Sequence, residues 1–377
     1  MLITQIGFAY DDDLADAEAL LARYATLVGW AEALAAAGVA STVVHRFHRT
    51  EEFTRRGVRY LFRAVGLNRT LAKVGPDVVH VNGLNFPMQT WRCRRLLAER
   101  SAVVVQDHAS GEPPPAAGGA RAVRDALRRR AMKAVDGFFF TAAAQADGWR
   151  RRGFIADAQP VHEIPEASTS MQPLDPAAAA AATGIAGDPA VLWVGRLNAN
   201  KSPLTILAGV ERAAADLPGL TLTMVFGGGD LENEVRSRLA RSPVLGARVR
   251  LAGAVPHDQL AAFYSASDLF VLGSHHEGSG YALLEACACG ALPVVTDIAA
   301  FRAMVGGGAG LLWPVDDADK LASALVAAAR RDRRAERARI REHFAGALSW
   351  PAVARQAIAA YEQVAAARRS ARTGVVN

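Results

Sequence analysis

Short runs rich in branched apolar residues alternate with alanine- and arginine-rich stretches along the chain, and the alternation occurs twice. In the first half the strand candidates are 2–9, 40–47, 77–81, 102–106, 137–141 and 161–164. In the second half they are 190–195, 220–226, 249–252, 269–272, 292–296 and 310–313. Continuous apolar runs such as AVVVQ and LPVVT suit strands covered on both faces, the condition of a parallel sheet. Strand–helix alternation then predicts an α/β protein with two doubly wound sheets. A chain of 377 residues is too long for one typical domain. The break is expected within 172–189, QPLDPAAAAAATGIAGDP, which has prolines at both ends and a turn or two of helix between. That places the domains at 1–175 and 186–350. A periodic helix follows from Trp350 to Arg369, carrying Val353, Ile358, Tyr361 and Val364, and the last eight residues, SARTGVVN, read as frayed.

The net charge of +6 tolerates anionic partners without calling for nucleic acid. Arginine is dense at 92–100, 121–130 and 330–341. Two readings stand: solvated helix faces, or peripheral docking on an anionic membrane surface. Three cysteines, Cys93, Cys287 and Cys289, suit a reducing compartment and packing rather than metal binding. The opening MLITQIGFAYDDD lacks the basic stretch of a signal peptide, and no apolar run is long enough to span a bilayer. A cytoplasmic location is expected, free or peripheral at the inner membrane face. The stretch 111–119, GEPPPAAGG, is expected to be an irregular, mobile loop.

Three segments carry chemistry. In VLWVGRLNANKSPLTIL a buried strand ends at Gly195, Arg196 and Lys201 follow, and Ser202-Pro203 reads as N-cap and N1 of a helix. Two cations at the carboxyl end of a parallel strand suit a diphosphate, which Arg can grip bidentately. In TMVFGGGDLENEV three glycines let backbone approach a ligand or another chain segment, although no GxGxxG fingerprint is present. In HHEGSGYALLEACACG a glycine-bearing loop leads into a helix starting near Gly280 or Tyr281. Its first amides offer donors to a phosphate. Glu277 stands in the loop and Glu285 lies about a turn into the helix. Carboxylates suit sugar hydroxyls, since each accepts several hydrogen bonds. The bland alternative is that Glu277 caps the helix and Glu285 faces solvent. His275-His276 has no third ligand at metal spacing nearby.

Together these segments resemble the retaining GT-B-fold glycosyltransferases of the large family 4 group, which includes bacterial mannosyl- and glucosyltransferases. The resemblance rests on Val194-Gly195-Arg196-Leu197 with Lys201, on Gly227–Gly229, on Leu251-Ala252-Gly253-Ala254-Val255, and on Asp268 to Val295 with its glutamates eight positions apart. It covers about 190–364. It implies two Rossmann-like domains facing a cleft, with a final segment at about 351–377 rejoining the N-terminal domain. It implies transfer of a sugar from a nucleoside-diphosphate sugar, with retention and without metal or other cofactor. The acceptor would be a glycan, lipid or small molecule. By this likeness Arg196 and Lys201 hold the diphosphate, with Gly195 beside them. Amides of Ser279, Gly280, Tyr281 and Ala282 support phosphate and sugar. Glu277 binds the transferred sugar, Glu285 the ribose, and Val255 meets the base. His108, in VVQDHASG, approaches the sugar or the acceptor.

The first half departs from the pattern. Glu166-Ala167 replaces the usual Asn-Gly after I-P. The Gly-Gly loop before the first long helix is missing, and Leu21-Ala22 stands there. Asp11-Asp12-Asp13 reads as a cap for the following helix or as an acceptor contact. A catalytically silent sugar-nucleotide-binding or scaffold protein, and a GT-B-fold sugar-nucleotide epimerase, remain as alternatives.

Overall fold

In the computed structural model, which describes residues 1–97, 100–108, 113 and 120–373, the apolar runs form two separate sheets. The first contains β1 (Leu2–Gly7), β2 (Ala40–Arg46), β3 (Glu51–Arg55), β4 (Val58–Arg63), β5 (Val78–Asn82), β6 (Ala102–Gln106), β7 (Gly137–Phe140) and β8 (Val161–Glu163). Their order is β3-β4-β2-β1-β5-β6-β7-β8, parallel throughout except between β3 and β4. The second contains β9 (Ala190–Gly195), β10 (Thr221–Phe226), β11 (Val249–Gly253), β12 (Leu269–Leu272), β13 (Leu292–Thr296) and β14 (Leu311–Trp313). It is wholly parallel, in the order β11-β10-β9-β12-β13-β14. Every residue of β6, β7, β12 and β13 is buried, as continuous apolar runs require when helices cover both faces.

The chain divides into two compact units, Thr169–Ser349 and the remainder. The helix Pro176–Thr183, read from sequence as part of the boundary, packs on the helix Leu260–Ala266 and belongs to the second unit. Asp175 caps it by accepting from the Ala178 amide at 2.9 Å, and Gly184 ends it in the left-handed region.

The hairpin β3–β4 is absent from the sequence reading. Arg56 and Gly57 both have positive φ, 48° and 78°, the geometry of a two-residue hairpin turn whose twist matches that of the strands. The alternation of Val58, Tyr60 and Phe62 was its signal, and an Arg at the first turn position concealed it. Glu52 on β3 accepts from Arg59 and Arg63 across the pair. The aspartates 11–13 do not cap the following helix. Asp16 caps Ala17–Arg23, accepting from the Ala19 amide at 2.8 Å, while Asp11 pairs with Arg23. Leu21-Ala22 lies inside that helix. The 111–119 stretch lies, Pro113 apart, outside the described residues, as does the end of the frayed tail.

The terminal helix Trp350–Thr373 packs in the first unit, against the helix Ala25–Ala36. Val353, Ala357, Tyr361 and Val364 join one core cluster with Trp30, Leu34 and Val78. Trp30 Nε1 donates to the Tyr361 hydroxyl at 2.9 Å, and that hydroxyl meets His80 Nδ1. Burial pushes the His80 imidazole down to about 3, so the ring is neutral at neutral pH and its Nδ1 accepts from Tyr361. His45, donating from Nδ1 to the Arg46 carbonyl at 2.8 Å, is likewise pushed down to about 4 by burial.

These two depressed imidazoles set a pH dependence. The unfolded chain binds their protons near the ordinary histidine value while the folded chain does not, so stability falls as pH drops from that value toward 4. Lowering the pH from about 7 to about 5 is expected to cost the first unit on the order of 1–2 kcal/mol per histidine. Urea midpoints across this range check it, and His80→Asn should remove part of the slope.

Candidate active site

Parallel sheets present their loops together at the carboxyl edge, and a crevice opens where successive connections run in opposite directions. In the second unit the chain leaves β9 toward β10 and β11, then returns to place β12 on the other side of β9. The switch point therefore lies between β9 and β12. The loop after β9 carries Arg196 and Lys201, and the loop after β12 carries Glu277.

Lys201 Nζ and Glu277 Oε1 form an ion pair across this crevice, with side chains 19% and 13% exposed. Backbone contacts tie the two loops together. The His275 amide donates to the Asn200 carbonyl at 2.9 Å. The Asn200 side chain accepts from the His276 amide at 3.0 Å and donates to the His276 carbonyl at 3.1 Å. Arg196 differs from Lys201: its side chain is exposed and makes no ion pair or hydrogen bond among the described residues. Gly195 closes β9 beside the Trp193 ring, where an added Cβ would come within 3.2 Å of it.

Ser202 stands at the N-cap position predicted for it, but it does not cap the helix Pro203–Ala213. Its φ of 42° turns the hydroxyl toward Asp316 Oδ1 at 2.7 Å and His275 Nε2 at 2.8 Å. Asp316 also has a positive φ, 60°, and lies 3.1 Å from His275 Nε2. Its carboxyl is held below the usual range, first by the Ser202 hydroxyl and then by His275. Two non-glycine residues in the left-handed region thus meet over one imidazole, beside Lys201, and their shared hydrogen bonds offset the backbone strain. Asp316→Ala should cost about 1 kcal/mol more stability than Asp316→Gly, because only glycine relieves the backbone. Thermal melts of the two variants measure the difference.

The glycine turn after β10 serves chain packing at Gly229. A Cβ there would lie 2.2 Å from the Leu197 carbonyl oxygen, and Leu197 bonds the turn in both directions. Gly227 and Gly228 face open space.

The helix Tyr281–Cys289 starts from Gly280 at φ 68°, where a Cβ would strike the Phe301 ring at 2.7 Å. The N-cap residue itself, Gly280, has no side chain to cap the helix. Ser279 is buried and Tyr281 is half exposed, with Ala282 next in the first turn. Glu285 is buried rather than facing solvent. Its Oε2 accepts from the Tyr264 hydroxyl at 2.9 Å and its Oε1 lies 2.7 Å from His257 Nε2. Burial, then the Glu285 charge, pushes the Tyr264 hydroxyl well above its ordinary value. His257 follows Val255 by two residues in the loop after β11, which brings the Val255 backbone into this neighbourhood. Cys287 and Cys289 are buried, and burial pushes their thiols up to about 12 and about 11. They are packing residues.

His108 lies in the first unit, after β6. Its Nε2 is 3.0 Å from Asn82 Oδ1 at the end of β5, and its Nδ1 is 3.5 Å from Glu166 Oε2. The ring keeps 27% of its surface open, yet the protein around it pushes its pKa down to about 4. Glu166, in the altered I-P-E-A turn, is buried beside it. Sequence reasoning missed Asn82, Asn200, His257, Tyr264 and Asp316, since an isolated polar residue in a loop or helix carries no spacing signal.

Two family models match, in order along the chain: Glycosyltransferase Family 4 over residues 21–167, and Glycosyl transferases group 1 over residues 188–331. A D-inositol 3-phosphate glycosyltransferase of Geodermatophilus obscurus is 34% identical over 218 residues, covering 54% of this chain and 48% of the relative. A phosphatidyl-myo-inositol mannosyltransferase of Mycolicibacterium smegmatis is 33% identical over 186 residues, covering 47% and 46%. The matches span about half the length of these relatives. A sucrose-phosphate synthase structure from Thermosynechococcus elongatus superimposes with a TM-score of 0.66 at 22% identity, covering 97% of this chain and 99% of that one. At that identity the likeness shows the fold, the GT-B pairing of two Rossmann-like units.

Proposed function

Because the chain belongs to the glycosyltransferases of families described by group 1 and family 4, we propose that it transfers a sugar from a nucleoside-diphosphate sugar to an acceptor glycan, lipid or small molecule. The observation that carries this reading is the meeting of Lys201 and Glu277 at the switch point, with an unengaged Arg196 in the same loop. A donor diphosphate, more highly charged than one carboxylate, competes for Lys201 and recruits Arg196 in a bidentate grip. Glu277 is then released to accept from the hydroxyls of the transferred sugar.

Glu285 serves the ribose. Its oxygens keep further lone pairs after bonding Tyr264 and His257, and the latter is a mostly exposed ring that a ribose hydroxyl can displace. The Val255 backbone meets the base, and amides from Ser279 to Ala282 support the phosphate. In the transfer, the bond between the anomeric carbon and the diphosphate oxygen breaks. The acceptor oxygen bonds to the same face, and the acceptor proton passes to the leaving diphosphate. Configuration is retained. Arg196, Lys201 and the helix N-terminus supply the positive charge that a metal would otherwise bring. The first unit, with a neutral His108 able to bond a hydroxyl, holds the acceptor. On this reading the enzyme works at the cytoplasmic side of the cell, without a nucleic-acid partner.

One observation favours a second reading, a silent sugar-nucleotide-binding protein: a helix, Ala17–Arg23, occupies the segment where a glycine loop approaches donor phosphates in the resembling family. Binding and slow hydrolysis across UDP-, GDP-, ADP- and TDP-sugars separate the two. Turnover of one donor supports the transferase, and binding without turnover supports the silent protein. Isomerisation of the donor without acceptor would indicate an epimerase. Binding of none overturns the donor site itself.

A further inference from the structure

The arginines that crowd the first unit sort into two sets. Some point inward: Arg94 donates to the carbonyls of Ala134 and Ser101 and pairs with Asp136. Arg128, Arg129 and Arg152 lie over the Phe154 ring. Others point out from a layer of three adjacent helices, Leu67–Val74, Pro87–Leu97 and Ala120–Met132. Leu67, Leu71, Cys93, Leu97 and Met132 pack these helices on one face of the sheet, in the cluster that includes Val79, Val81, Val103 and Val105. Their outer faces therefore look the same way.

That outer surface carries Arg69, Lys73, Arg92, Arg95, Arg124 and Arg130, all exposed and none in an ion pair among the described residues. The three helices hold a single acid among the described residues, Asp125, and it is turned to Arg152 at 2.6 Å. At the hairpin end of the same unit, by contrast, Arg55, Arg56, Arg59 and Arg63 are matched by Glu18, Glu32 and Glu52. The surface also carries exposed apolar side chains. Leu96, Val123 and Leu127 are exposed on these helices, three of the ten large exposed hydrophobics of the chain's described residues. Val123 and Leu127 are one helical turn apart with Arg124 and Arg130 flanking them, and Arg95 lies 5.0 Å over the Trp91 ring.

We propose that the outer faces of these three helices form a docking surface for an anionic lipid bilayer. Unopposed cations answer the negative surface potential of such a membrane, and each strengthens binding about fivefold. The exposed aliphatics enter the headgroup boundary, as the apolar face of an interfacial helix does. A polyanion such as nucleic acid or heparin accounts for the cations but gives Val123 and Leu127 nothing to enter. The surface lies within one unit and does not depend on the transferase reading.

The test is co-sedimentation of the full chain, without donor, with phosphatidylcholine vesicles and with mixed phosphatidylcholine–phosphatidylglycerol vesicles. Binding is expected only to the mixed vesicles and should weaken with added salt. The variant Arg92→Ser/Arg95→Ser/Arg124→Ser/Arg130→Ser should bind about 600-fold more weakly. The corresponding Arg→Lys variant should bind as the parent does. Val123→Ser/Leu127→Ser should lose about tenfold with all charges in place. Unchanged thermal melts show that each variant is folded. Failure to bind the mixed vesicles overturns the proposal. So does binding that is matched by heparin and indifferent to Val123→Ser/Leu127→Ser, which would make the surface a general polyanion site.

Discussion

Lys201→Ala is expected to lower donor turnover by about 10²–10³-fold, the usual loss when one donor is removed from a preorganised electrostatic site. Arg196→Ala should fall in the same range, but for a different structural reason. Lys201 is mostly buried in an ion pair with Glu277, so its removal leaves a carboxylate without that partner and also lowers stability. Arg196 is exposed and has no ion pair among the described residues to lose, so its removal should spare the melting temperature while the rate falls. Glu277→Gln keeps the shape, frees Lys201 and removes the charge. It should leave diphosphate binding intact while slowing transfer. Initial rates, nucleoside-diphosphate binding and thermal melts of the three variants provide the readouts. If both cation variants turn over donor within about threefold of the parent, the diphosphate assignment is wrong.

Tyr361→Ala is expected to cost the first unit about 3–5 kcal/mol, the range for deleting a buried aromatic side chain. The loss has two parts. The ring leaves a void between the terminal helix, Trp30 and Phe139. The hydroxyl also leaves Trp30 Nε1 and His80 Nδ1 without their bonds. Tyr361→Phe isolates the second part, at about 1–3 kcal/mol. Hydrogen exchange resolved by segment provides the check. Faster opening is expected in β1, β5, β6 and the helix Ala25–Ala36, with the segment 169–349 unchanged. Equal protection of the first unit in Tyr361→Ala and the parent would mean that the terminal helix is dispensable to that core.

Residue patterns reach some elements of this fold and not others. Continuous apolar runs allow few environments, because a four- or five-residue stretch buried on both faces has to be a strand of a covered sheet. Strands at 102–106, 190–195, 269–272 and 292–296 therefore match the sequence reading end to end. The hairpin β3–β4 escaped because its strands are mixed in polarity and its turn lacks the usual Asn-Gly or Asp-Gly. Arg196, Lys201, Glu277 and the helix start at Gly280 were legible because each follows a strand closely, and the end of a parallel strand is where a ligand edge forms.

The sequence by itself determined the fold class, the two-unit division in outline, and the loops that carry charge. Those depend on local period and on the chemistry of neighbours in the chain. Only the tertiary structure decided what the charges do. It paired Lys201 with Glu277, buried Glu285 against Tyr264, and set Ser202 and Asp316 over His275 in strained backbone. It also turned Arg94 inward and left Arg92 and Arg95 outward on the same helix. An arginine is compatible with a solvated face, a buried pair or a docking surface. The choice rests on which distant acid or carbonyl the fold brings within reach, and spacing along the chain does not encode that.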